Sequence, residues 1–133
     1  MIAPSSEHLL RTKPDLVVVF GDVDTTLAAA YAAKRLHIPL AHVEAGLRSG
    51  DRSMPEELNR LMVDAISDIH FTTTEQAHGQ LLAEGHQREH VHHVGNLMID
   101  SLFETVDGEH GGQVCRRMGS DPASFGLATF HRP

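Results

Sequence analysis

A single cysteine, Cys115, is all the sequence contains, so no internal disulfide can form and a reducing cytoplasm is the expected setting. No apolar run approaches the roughly 20 residues of a membrane-spanning helix. Met1-Ile2-Ala3-Pro4-Ser5-Ser6 has neither the basic n-region nor the apolar h-region of a secretory signal. Basic residues are scarce, 11 Lys and Arg against 18 Asp and Glu, for a formal charge of -7. Sequence-independent nucleic-acid binding rests on Lys and Arg neutralising phosphates, and this balance excludes it. An anionic small molecule stays open, because local donors and helix N-termini hold phosphates even in acidic proteins. Internal repeats and low-complexity segments are also missing. The 133 residues suffice for one compact domain but are short for a two-domain enzyme, so one domain with a stub of a second is expected.

What is present is an alternation of strand and helix signals, the mark of an α/β fold. Residues 16–20, Leu-Val-Val-Val-Phe, form an apolar, β-branched run, as expected of a central parallel strand covered on both faces. Asp24 or Thr25 can cap a helix to about Leu36, and alanines at 28, 29, 30, 32 and 33 would let it lie close to the sheet. His37 and Pro39 end it, and residues 39–43 read as the next strand. Ser53-Met54-Pro55-Glu56 has capping-box spacing, with Leu58, Leu61, Met62, Ala65 and Ile66 following as a core face. Strands near 69–72 and 91–94 and helices near 74–84 and 96–105 continue the pattern. These signals predict α/β structure over residues 1–106, a linker over 107–122 and, within 123–133, the first strand of a second unit.

Two carboxylates stand where apolar strands run out, Asp22 after Gly21 and Glu44 before Ala45-Gly46. In an open parallel sheet such positions line one crevice, so both are expected to face the same bound molecule. Asp22 also suits ordinary turn chemistry, whereas Glu44 ends a buried strand with no helix to cap. Glu56 has a structural alternative as the capping-box glutamate or as a partner of Arg60 one turn on. Arg48 could reach a diphosphate or lie solvated on the surface. Asn96 could present its amide to a ligand or cap the next helix. His131-Arg132 at the end of an apolar strand could meet a phosphate. His86, His90, His92 and His93 lie on a turn and an alternating strand without a supporting Cys or carboxylate framework, so no metal site is expected. With 11 histidines, acidification through about pH 6.5 should erode the negative charge.

Five blocks, Gly21-Asp22-Val23-Asp24-Thr25-Thr26-Leu27, His42-Val43-Glu44-Ala45-Gly46-Leu47-Arg48-Ser49, Met54-Pro55-Glu56-Glu57-Leu58-Asn59-Arg60, Val94-Gly95-Asn96-Leu97-Met98-Ile99-Asp100 and Phe130-His131-Arg132-Pro133, together resemble the UDP-N-acetylglucosamine 2-epimerase family. The resemblance implies two Rossmann-like domains of the glycosyltransferase-B type with the nucleotide sugar between them. This chain would be an internal piece: the second half of the first domain and the opening strand of the second, inactive by itself. The implied reaction interconverts UDP-N-acetylglucosamine and UDP-N-acetylmannosamine. UDP leaves C1 as a base takes the C2 proton, and UDP then adds back to the 2-acetamidoglucal with a proton delivered to the other face. Such a scheme needs proton-transfer groups on both sides of the ring and donors for the departing diphosphate. By resemblance Asp22, Glu44, Glu56 and His131 carry catalytic roles, Asp22, Glu44, His131, Arg48 and Asn96 contact substrate, no cofactor takes part, and the complete protein is a cytoplasmic homodimer. The pair Val23-Asp24 departs from the family's common Thr after the aspartate, and Asp24 is expected to cap the following helix. The alternatives are the family's hydrolysing branch, a non-catalytic flavodoxin-like binding module, and a glycosyltransferase of the same architecture, which would not explain the three carboxylates together.

Overall fold

The computed structural model describes residues 1–106, 108–119 and 128–129. Its first compact unit, Met1–Asn96, runs α1 (Ile2–Thr12), β1 (Val17–Phe20), α2 (Asp24–Arg35), β2 (Leu40–Ala45), α3 (Pro55–Ile66), β3 (Ile69–Thr72), α4 (Glu75–Ala83), a 3-10 turn (Arg88–His90) and β4 (Val91–His93). The four strands are parallel and ordered β1-β2-β3-β4. The second unit, from Leu97, contains α5 (Leu97–Thr105) and α6 (Gly108–Arg117). A helix therefore occupies much of the stretch read as a linker. Most of the expected strand within 123–133, including His131, lies outside the described residues, and residues 128 and 129 carry no regular structure.

Register assigns the two faces of the sheet, since aligned residues point the same way. Val19, His42, His70 and Val91 form one row, and it is this side that meets the helices: Val19 and Leu40 pack with Ala30 and Ala33 of α2, Val63 of α3 and Leu9 of α1. Leu81 of α4 packs on Ala45 and Val91. The opposite row contains Phe20, Val43, Phe71 and His92. Strand β1 is thus an edge strand among the described residues, with Val18 44% and Phe20 55% exposed, and not the centrally placed, doubly covered strand expected.

Helix α2 matches its alanine spacing, with Ala28, Ala30, Ala32 and Ala33 all buried. Its cap differs from expectation. The N-cap is Val23, which makes no side-chain capping bond, and Asp24 is the first helical residue, its Oδ1 accepting from Asn59 Nδ2 at 2.9 Å. Helix α3 departs further. Its N-cap is Met54, with Pro55 opening the helix, and Ser53 binds Asp51 Oδ1 through both its N–H and hydroxyl, so no capping box forms. Its buried residues are Glu57, Asn59, Val63 and Asp64, whereas Leu58 and Met62 are each 44% exposed. The polar face turns inward because nearly every donor and acceptor it carries finds a partner there, which removes most of the penalty for burial.

Candidate active site

The carboxyl ends of β1 and β2 stop in two left-handed turns. Gly21 has φ +64° and Glu44 has φ +70°, and Glu44 sits at the irregularity where the β2–β3 register shifts. For a residue with a side chain this backbone costs about 1–2 kcal/mol, so surrounding contacts must hold it. The Gly21 N–H donates to the Val43 carbonyl at 3.1 Å, and Glu44 Oε2 lies 3.6 Å from where a Cβ on Gly21 would stand. Asp22 and Glu44 are therefore neighbours on adjacent strand ends, as the alternation of elements implies.

Asp22 is oriented from α3. Its Oδ2 accepts from Arg60 Nη1 at 2.7 Å and its carbonyl accepts from Asn59 Nδ2 at 2.8 Å. Arg60 also pairs with Glu57, Nη2 to Oε2 being 3.0 Å. Glu57 is thus a partner of Arg60 one turn along α3. Glu57 in turn accepts from the Ser49 and Gly50 N–H groups, each at 3.0 Å, which secures the loop after Glu44. Burial works hardest against ionising Glu57, but those N–H groups and the Arg60 charge together keep its carboxyl below the usual range. Glu56 occupies the first turn of α3, half-buried, and lines a cleft of about 470 Å³ with Val23, Asp24, Thr25, Pro55 and Asn59. This cleft opens where α2 and α3 begin.

Arg48 is turned inward rather than toward the crevice. Its Nη1 donates to Asp64 Oδ2 at 2.7 Å, and Nε and Nη2 grip both oxygens of Glu84 at 2.9 and 2.6 Å. These bonds, the largest influence, draw the Glu84 carboxyl below its ordinary range. The guanidinium is thus engaged by two protein carboxylates. Asn96 immediately precedes α5 and closes the first unit. His131 lies outside the described residues. Of the four histidines weighed as ligands, His86 sets its ring against His70, His92 lies near the Phe71 ring, and His93 Nδ1 is 2.9 Å from Glu75 Oε1.

The residues to which sequence reasoning gave no role are His42, Glu57, Asn59 and Asp64, and Arg60 was weighed only as a partner of Glu56. One signal was available: Glu57, Arg60 and Asp64 recur at helical spacing, a polar stripe as regular as the apolar one beside it.

Comparison with known proteins bears on this arrangement. A family model described as UDP-N-acetylglucosamine 2-epimerase matches residues 1–133. The UDP-N-acetylglucosamine 2-epimerase of Methanococcus maripaludis is 41% identical over 135 residues, covering 99% of this chain and 37% of its own length. The UDP-2,3-diacetamido-2,3-dideoxy-D-glucuronate 2-epimerase of Pseudomonas aeruginosa is 46% identical over 135 residues, again covering 99% and 37%. The crystal structure of Methanocaldococcus jannaschii UDP-GlcNAc 2-epimerase in complex with UDP-GlcNAc and UDP is similar with a TM-score of 0.81 and 43% identity, covering 88% of this chain and 32% of that one. The chain spans 37% of the length of both curated relatives.

Proposed function

This chain belongs to the UDP-N-acetylglucosamine 2-epimerase family, and from that premise we propose that it is part of a non-hydrolysing epimerase interconverting UDP-N-acetylglucosamine and UDP-N-acetylmannosamine. The observation that carries this reading is the adjacency of Asp22 and Glu44 at neighbouring strand ends, with Glu56 lining a cleft that starts between α2 and α3. Three carboxylates around two successive strand-to-helix connections supply what the chemistry requires: one group to take the C2 proton as UDP departs, and another to return a proton to the opposite face. Arg60 and Asn59 fix Asp22 from α3, and Glu57 ties the loop after Glu44 to the same helix, so the reacting groups share one rigid support. His131 and Asn96 are proposed to contact the nucleotide sugar. The complete protein is proposed to be a cytoplasmic homodimer that supplies a precursor of surface polysaccharide.

Incubated with UDP-N-acetylglucosamine in deuterated water, the complete protein should place deuterium at C2 of the sugar. Glu44→Gln should slow that turnover at least about 100-fold, the low end of what a positioned acid or base contributes. Conversion without isotope uptake would refute the proton-transfer scheme, and near-normal turnover of the variant would remove Glu44 from it. Free N-acetylmannosamine among the products would point to the hydrolysing branch instead.

One relative favours a second reading. The Pseudomonas aeruginosa enzyme, named for a UDP-2,3-diacetamido uronate, is 46% identical to this chain, and the reaction at C2 is chemically the same. Supplying both nucleotide sugars separately distinguishes the two: the preferred one is that with the higher kcat/KM.

A further inference from the structure

Both strand-end carboxylates hang on left-handed turns, and one buried pair of residues grips both turns. His42 is 0% exposed; one ring nitrogen faces a carbonyl oxygen, which can only accept, and the other a carboxyl oxygen, which accepts whenever Asp64 is ionised. Nδ1 lies 2.6 Å from Asp64 Oδ1 and Nε2 lies 2.9 Å from the Gly21 carbonyl. A neutral imidazole has a single N–H and would turn a lone pair on one of these oxygens, whereas the imidazolium donates to both. Shifting the proton to Asp64 is opposed from the other side, where Oδ2 already accepts from the Gly46 N–H at 3.0 Å and from Arg48 at 2.7 Å. Burial is the largest influence on Asp64 and resists its ionisation, but the His42 and Arg48 contacts outweigh it and hold the carboxyl below its ordinary range. From β3 the group facing His42 is His70, which burial above all makes a weaker base than usual, and whose Nε2 lies 2.9 Å from the Asp64 carbonyl.

The same two side chains define the geometry around the crevice. Asp64 holds β2 on either side of Glu44, through the His42 ring before it and the Gly46 N–H after it. Gly46 permits this because its φ is +82° and a Cβ there would stand 2.4 Å from the Ala77 carbonyl oxygen. Through Nε2, His42 then reaches across to the peptide that precedes Asp22. We propose that His42 is an imidazolium clasped between Asp64 and the Gly21 carbonyl, and that this ion pair sets Asp22 and Glu44 relative to each other, making His42 and Asp64 positioning residues. Only the kinetic consequence rests on the epimerase reading.

Asp64→Asn tests the clasp while keeping its shape. The Asn oxygen can stay with Gly46 and Arg48 while its NH2 turns to His42, whose Nδ1 must then accept. Nitrogen-15 NMR of histidine-labelled chain at pH 7 should show both ring nitrogens of His42 protonated in the parent, and a bare Nδ1 with a protonated Nε2 in Asp64→Asn. A bare ring nitrogen on His42 in the parent overturns the proposal, whatever the activity proves to be. In the full-length protein Asp64→Asn should lower kcat roughly 10- to 100-fold with KM nearly unchanged, the scale of a small misplacement of reacting groups. An unchanged kcat in a variant whose ring signals have switched overturns the positioning role. If Asp64→Asn does not fold, the parent spectrum decides the charge and His42→Gln, expected to show the same loss in kcat, decides the role. A parent protein without epimerase activity counts against the reaction, and the spectrum still decides the clasp.

Discussion

Helices α2 and α3 each have 12 residues and meet the same face of the sheet through Ala30, Ala33 and Val63, yet they bury opposite chemistry. The inner face of α2 is almost wholly alanine, which loses no side-chain entropy on burial and allows close approach to the strands. The inner face of α3 carries Glu57, Asn59 and Asp64. Removing charges from water is expensive, and well-packed apolar residues in place of a buried ion pair are often neutral or stabilising. Stability alone therefore explains α2 but not α3. What distinguishes α3 is what its polar groups hold: Asp22, the loop at Ser49 and Gly50, His42 and Gly46.

If that contrast is right, the sharpest way to disturb it is Asp64→Ala. The change strips His42 and Arg48 of a shared acceptor inside the fold, and stranding buried charge typically costs about 3–5 kcal/mol. Urea unfolding at pH 7 measures it. The ionised form is favoured by folding, so the stabilisation is fully present above the unfolded value of about pH 3.9 and is lost as pH falls through the lowered folded-state value. The gap between parent and variant should accordingly narrow in acid. A cost below about 1 kcal/mol at pH 7 would make the α3 network no more demanding than a set of exposed pairs.

The opposite half of the contrast is tested by Ala30→Leu. Ala30 is fully buried against Val19 and Leu40, and forcing added methylenes into a packed core costs about 1–3 kcal/mol. Stability equal to that of the parent would show that α2 does not lie as close to the sheet as its alanines suggest.

The two helices also differ in how readable they were. For α2 the alanine spacing names the buried face, because small apolar residues are buried for the same reason they are recognised. The positions of Asp22 and Glu44 were readable too, since parallel strands joined through helices bring their carboxyl ends to one edge. For α3 the apolar periodicity points to Leu58, Leu61, Met62, Ala65 and Ile66; Ile66 does pack against the core, but Leu58, Met62 and Ala65 are exposed, because periodicity scores hydrophobicity while burial of Glu57 and Asp64 depends on partners far along the chain. Asp64 meets His42 and Arg48, and Arg48 meets Glu84, contacts no local pattern encodes. The left-handed backbone of Glu44 is equally invisible, because glutamate does not announce a positive φ as glycine does.

The smallest expected effect discriminates most directly between the two readings of α3. Met62→Lys places a charge in the middle of the stripe that periodicity marks as core. Were that stripe the packed face, the substitution would desolvate an ammonium and remove apolar contacts at once, a change at the severe end of what single substitutions do. With Met62 44% exposed, the lysine stem can lie along the helix surface while its head stays in water, and lysine and methionine have nearly equal helix propensity. Thermal or urea unfolding of the chain should then move by no more than about 0.5 kcal/mol. A loss of several kcal/mol would mean that α3 is turned the other way, and with it the inward placement of Glu57, Arg60 and Asp64 on which Asp22 and Glu44 depend.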